Sequence, residues 1–213
     1  MSKILVIAPH ADDEVLGSGG SIIKHVENGD DVYVVIVADR YTGDWQSQRE
    51  QSKNVKAILG YTELTHLGME DEKLHESYHQ LIHFIESAYL KVKPDIVYTC
   101  NGDDINTDHQ HVFSASAVAC RRVQTHSPSK ILCYEIPSSS DQSITNVFAP
   151  NSFNTLTEDQ VNKKILAFSV YSDEMRQTPN PRSVKNIKTY AEFRGLMCNS
   201  LFAESFIVKY ERS

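Results

Sequence analysis

Along the chain, short and continuously apolar runs alternate with longer segments of helical periodicity. Lys3 to Ala8 is apolar and β-branched until Pro9 breaks it, and a helical pattern then runs from near Glu14 to about Asn28. Gly29 and Asp30 stop that helix. Asp31 to Ala38 reads as a second strand, apolar on both faces as strands of covered parallel sheets are. A polar loop with Arg40, Thr42, Gly43 and Asp44 leads into a helix from about Gln46 to Leu59, with Gly60 in the usual terminating position. Leu64 to Leu67 predicts a short strand. Glu76 to Lys91 carries Leu81, Ile82, Ile85, Ala88 and Tyr89 at helical spacing, and Asp95 to Cys100 predicts the next strand.

The second half continues the alternation less regularly. A loop from Asn101 to Asp108 precedes a helix around His111 to Val123 and a strand at Lys130 to Ile136. Pro137 to Leu156 is rich in Ser and Asn with little periodicity, which predicts a long loop; loops of that length tend to be functional, so a lid is expected here. Thr157 followed by Gln160 is a capping-box pattern for a helix to about Tyr171. A last helix, about Ser183 to Asn199, and a strand near Ser205 to Lys209 complete the pattern. No repeat or linker divides it. The expectation is one α/β domain over residues 1–213, a Rossmann-like, mostly parallel open sheet with helices on both faces. Ligands of such sheets bind beyond the carboxyl ends of the strands. Pro9–Gly20, Asp39–Trp45, Leu67–Glu72 and Cys100–His111 should therefore share one rim.

Composition narrows the function. The 213 residues are 40% hydrophobic and 23% charged, ordinary globular values. A net charge of -7 lacks the basic footprint of a nucleic-acid or anionic-membrane binder, so a small-molecule partner is expected, and a homo-oligomer is compatible with this. The apolar run Ile4 to Ala8 is too short for a signal-peptide core or a membrane span, which predicts a cytoplasmic protein. Cysteines 100, 120, 133 and 198 form no CxxC pair and read as reduced thiols.

Chemistry concentrates directly after the first strand, at Pro9-His10-Ala11-Asp12-Asp13-Glu14. His10 and Asp13, three apart at a helix start, can converge on one metal ion, while Asp12 points differently and stays free to act on water. A catalytic metal usually keeps three protein ligands and one open position, and His109, at the same rim, is the best third ligand. Such a His, Asp, His set suits Zn2+ best, with Fe2+ or another divalent ion as alternatives. A helix-dipole role would explain the carboxylates but neither His10 nor the acidic and histidine run 103–111. Gly17, Gly19 and Gly20 lack the spacing of a dinucleotide loop, and the acidic run before them would repel a pyrophosphate; they are expected to let the first helix pack closely.

At these residues the chain resembles the PIG-L, or LmbE-like, N-acetylglucosaminyl deacetylases, whose signature is P-H-x-D-D-E. The likeness extends to Arg49-Glu50, Leu67-Gly68-Met69-Glu70-Asp71, Asp108-His109 and Ala203-Glu204-Ser205-Phe206. It implies a zinc site of His10, Asp13 and His109, Asp12 as general base, and Arg49 and Asp71 reaching an N-acetylated amino-sugar substrate. Many members carry H-P-D-H, whose first histidine stabilises the oxyanion; this chain has Asn106-Thr107-Asp108-His109. Asn106 is then the candidate amide donor in its place, and Asp104 or His111 a candidate proton source. The rival readings are a zinc amidase acting on a non-sugar conjugate, a degenerate binding protein and a nucleotide-binding oxidoreductase.

Overall fold

Residues 1–40, 45–123 and 125–212 are described in a computed structural model of the chain. The apolar runs become seven strands: β1 (Lys3–Ala8), β2 (Asp31–Asp39), β3 (Glu63–Glu70), β4 (Ile96–Cys100), β5 (Lys130–Tyr134), β6 (Ser152–Leu156) and β7 (Phe202–Glu211). Six α-helices alternate with them: α1 (Asp13–Glu27), α2 (Trp45–Leu59), α3 (Tyr78–Val92), α4 (Thr107–Ala119), α5 (Glu158–Val170) and α6 (Val184–Met197). All strands join one sheet in the order β3-β2-β1-β4-β5-β7-β6. The first five are parallel, while β7 runs antiparallel to both β5 and β6.

β1 is the centre of the core, with Ile4 to Ala8 fully buried between β2 and β4. The chain moves outward from β1 through β2 to β3 and then returns to β4 on the other side. Right-handed crossovers therefore carry α1 and α2 over one face and α3 and α4 over the opposite one. α5 packs on α1 and α2. The order reverses between β1 and β4, so a crevice opens beyond their carboxyl ends, the position where open α/β sheets hold ligands.

Several expected boundaries move. α4 begins at Thr107 rather than near His111, because the Asn106 side chain caps it by accepting from the Asp108 N–H at 2.8 Å. His109 thus stands in the first turn of a helix and not in a loop. The expected loop 137–156 contains a 3₁₀ turn at Ser140–Gln142 and the edge strand β6, so its last five residues belong to the sheet and cannot move as a lid. β3 and β7 are longer than their apolar patterns. The capping box at Thr157 is formed as expected. Thr42, Gly43 and Asp44 lie outside the described residues. Among those described, no helix is long and apolar enough to cross a membrane.

The glycines of α1 serve close packing. A Cβ on Gly17 would stand 2.2 Å from the Tyr134 ring, and one on Gly20 would stand 2.4 Å from Leu156. Glu204 of β7 locks the same helix: it accepts from the N–H groups of Gly20 and Ser21 at 2.8 and 2.7 Å and pairs with Lys164 of α5 at 2.7 Å. The Ala203–Phe206 motif is therefore an anchor for the middle of α1.

Candidate active site

The crevice is built from the turns that leave β1, β3 and β4. Leaving β1, the backbone turns so sharply that Asp12 takes φ 125°, a conformation strained for any residue but glycine. The turn buries Asp12 and Asp13 and puts Glu14 into the core, where its carboxylate accepts from the Tyr171 hydroxyl at 2.6 Å and the Asp12 N–H at 3.0 Å. Burial pushes Glu14 up to about 7.

His10, Asp13 and His109 converge, each offering one donor atom within 4.8 Å of the others. His10 Nδ1 and His109 Nε2 lie 3.3 and 3.2 Å from the same oxygen, Asp13 Oδ2. The second nitrogen of each ring faces other carboxylates. His10 Nε2 lies 2.9 Å from Asp71 Oδ1 and 3.3 Å from Asp108 Oδ2, and His109 Nδ1 lies 3.1 Å from Asp104 Oδ2 in a charge contact without hydrogen-bond alignment. Asp13 Oδ1 is buried with no hydrogen-bond partner among the described residues.

That donor set fits a divalent cation. A buried carboxylate with an orphaned oxygen is costly, and imidazoles with carboxylates on their far side are the usual surroundings of metal-ligating histidines. Without a cation the cluster gathers protons. Burial opposes charge on His10, yet Asp108, Asp13 and Asp71 together push it well above the usual imidazole value. His109 likewise rises to about 9 against its burial, through Asp13 and Asp104. Burial would raise Asp13, but His109 and His10 hold it far below the carboxylate range. A second group of potential ligands, His10, Asp71 and Asp108, shares the outer nitrogen of His10.

Asp12 stands apart from this set. Its Oδ2 accepts from Arg182 Nη1 at 2.8 Å, and burial and the neighbouring Asp13 push its carboxyl well up while Arg182 opposes them. Arg182, on the loop before α6, also reaches Glu174 Oε2 at 3.0 Å and Ser138 Oγ at 2.8 Å. Together with Arg40, Gln48, Asp71, Glu72 and Asn106, the side chains of Asp12, Glu174 and Arg182 line a cleft of about 220 Å³ in front of His10 and His109.

Against this geometry, residues 5–120, more than half of the chain, match the model of the PIG-L family, described as GlcNAc-PI de-N-acetylase. The chain is also 30% identical over 171 residues to the uncharacterized deacetylase YaiS of Escherichia coli (strain K12), covering 77% of this chain and 87% of that protein. This chain belongs to the PIG-L family. It is accordingly a hydrolase of the deacetylase type. Two solved structures share the PIG-L fold seen here. N,N'-diacetylchitobiose deacetylase from Pyrococcus horikoshii matches with a TM-score of 0.77 and 20% identity, over 97% of this chain and 83% of that one. GalB, the 4-carboxy-2-hydroxymuconate hydratase from Pseudomonas putida KT2440, matches with a TM-score of 0.80 and 18% identity, over 100% and 98%. Two different chemistries on one fold show that the sheet alone does not set the reaction.

The other expected residues fall in different places around the PIG-L cleft. Asp71 and Asn106 line it. Arg49 does not; its guanidinium is engaged by Asp39, with Nε 3.1 Å from Oδ2, and lies 5.0 Å over the Trp45 ring. Asp104 lies behind His109, its carboxylate accepting from the Ser140 hydroxyl at 2.7 Å, from the Ser139 hydroxyl and from the Asn106 N–H at 2.8 Å. It stands against the His109 ring and is not among the residues that line the cleft. His111 turns away, with Nδ1 2.6 Å from the Thr107 carbonyl oxygen and its ring beside Tyr78. Arg182 and Glu174 escaped sequence reasoning because they sit in an aperiodic stretch, 170 residues from Asp12 in the case of Arg182 and 134 residues from Arg40 in the case of Glu174. The Arg40 side chain was visible at the rim, but nothing marked its pairing with Glu174.

Proposed function

We propose that this chain hydrolyses the N-acetyl amide of an amino-sugar-containing small molecule, with a divalent cation, preferably zinc, held by His10, Asp13 and His109. The observation that carries the reading is the convergence of those three side chains beside a buried carboxylate, Asp12, at the floor of a polar cleft. The family match and the polar lining, suited to a hydroxylated substrate, support it. Free thiols at all four cysteines accord with a cytoplasmic protein.

A divalent ion bound there would supply Lewis acidity toward the amide carbonyl and lower the pKa of water in the site. Asp12 takes the proton of the attacking water through Oδ1, its Oδ2 being held by Arg182. The Asn106 side-chain amide, which lines the cleft and whose Oδ1 is held by the Asp108 N–H, donates through its nitrogen to the developing oxyanion. The proton kept on Asp12 then passes to the departing nitrogen, which leaves as the amine, and acetate is released. Asp71 meets substrate hydroxyls from the cleft wall, whereas Arg49 would have to leave Asp39 to do so.

The test couples two measurements on protein purified without chelators: metal per chain, and acetate release from a panel of N-acetyl sugars with and without added zinc. About one ion per chain with metal-dependent release is expected. Metal without release from any sugar would redirect the reading to a non-sugar amide, and no metal uptake would overturn the site.

A further inference from the structure

The charges around the cleft are not balanced. Asp12, Asp71, Glu72, Asp108 and Glu174 line it, against two guanidiniums, Arg40 and Arg182, and two imidazoles, His10 and His109, which add no charge of their own when they hold a cation. Both guanidiniums are already consumed. Arg182 spans Asp12 and Glu174, and Arg40 is paired with Glu174 and with Asp173 outside the cleft. Neither offers the free fork that recognition of a phosphate or carboxylate requires. Glu72 stands exposed at the rim, in left-handed backbone geometry (φ 65°), with no side-chain partner among the described residues. A dication at His10, Asp13 and His109 would not reverse the excess, since Asp13 adds a further carboxylate behind the wall.

We infer that the cleft selects acetamido sugars that are neutral or already carry an ammonium group, and rejects those bearing a phosphate, a nucleotide or a carboxylate. The inference rests on the amino-sugar reading of the same cleft and deepens it. It would set this chain apart from the GlcNAc-PI de-N-acetylases after which its family is described. Each unit of negative charge on a substrate within about 8 Å of the uncompensated carboxylates should cost roughly tenfold in kcat/KM at low ionic strength, and much less once salt screens the cleft.

The experiment uses the zinc-loaded full chain and three matched substrates: the methyl glycoside of N-acetylglucosamine, its 6-phosphate, and a chitobiose with one free amine. Acetate release is measured at about 0.02 M and about 0.5 M salt, where screening falls from long to short range. The neutral and cationic substrates are expected to exceed the phosphate by tenfold or more at low salt, with the gap narrowing several-fold at high salt and in Glu72→Lys at low salt. Parity, a preference for the phosphate, or a gap that neither salt nor Glu72→Lys moves would overturn the inference. If no sugar releases acetate, the amino-sugar reading fails by itself. Calorimetric binding of free glucosamine against its 6-phosphate to the same protein then still decides the charge preference, tighter phosphate binding counting against it.

Discussion

In the proposed mechanism Asp12 is the residue on which the chemistry turns. Its strained φ of 125° and its near-complete burial are retained beside a second carboxylate, a combination that costs stability and therefore points to a role. Asp12→Asn keeps the volume and the Arg182 contact but removes the base, so kcat should fall by about 10²- to 10⁴-fold while metal content is unchanged. Loss of metal together with activity would instead make Asp12 a ligand. Asn106→Ala should lower kcat by about 10²-fold with little change in KM, the pattern of a group that acts only as the oxyanion forms. The three-residue spacing of His10 and Asp13 was readable because both leave the end of one strand. Arg182 was not readable, since the 2.8 Å contact with Asp12 joins positions 170 residues apart that share no motif.

Helix α1 shows how elements carry the site. It must approach β5 and β6 closely enough for Gly17 and Gly20 to touch Tyr134 and Leu156, and Lys164 and Glu204 hold it at Leu16, Gly20 and Ser21. Replacing Glu204 by Gln leaves Lys164 buried beside Leu16 without its charge partner, and should cost about 3–5 kcal/mol of stability, read as a lower midpoint in urea. A second device closes the other end of α1. Asp30 accepts from the Ser2 N–H at 2.7 Å and meets His25 Nδ1 at 2.8 Å. Partial burial would raise its carboxyl, but these partners hold it below the usual range. Because its folded value lies below its unfolded one, the stabilisation is full above about pH 4 and is lost as pH falls through the folded value. Asp30→Asn should therefore destabilise by about 1 kcal/mol at pH 7 and by progressively less below pH 4, in thermal melts across that range. At this scale the long periodic helices and β1 matched their sequence patterns. α4 did not: an Asn cap outweighed the weak periodicity of its first turn, where Asp108 and His109 are buried polar residues rather than an apolar stripe.

For the whole molecule, the proposed cation and the fold would be linked. The cluster of His10, Asp13 and His109 draws on β1, α1 and α4, so an ion bound there joins elements on both faces of the sheet. Zinc at about 100 times its Kd should add about 2.7 kcal/mol, raising Tm by roughly 5–10 °C, and a chelator should reverse the gain. An unchanged Tm in Asp13→Ala with zinc added would identify the cluster as the site of that effect. The order of apolar and helical segments was enough to establish an α/β sheet with its chemistry at one rim, because buried parallel strands must be apolar on both faces and cannot hide that requirement. The signature after β1 was enough to name the reaction class through its resemblance to the PIG-L family, whereas local geometry by itself set only that His10 and Asp13, three residues apart, can face one point. The tertiary structure alone decided which of the rim groups face the cleft. It drew Arg49 into Asp39, set Asp104 behind His109, and brought Arg182 to Asp12. Side-chain pairing across the crevice depends on where distant loops come to rest, and that is fixed by the packing of the whole sheet, not by any local pattern.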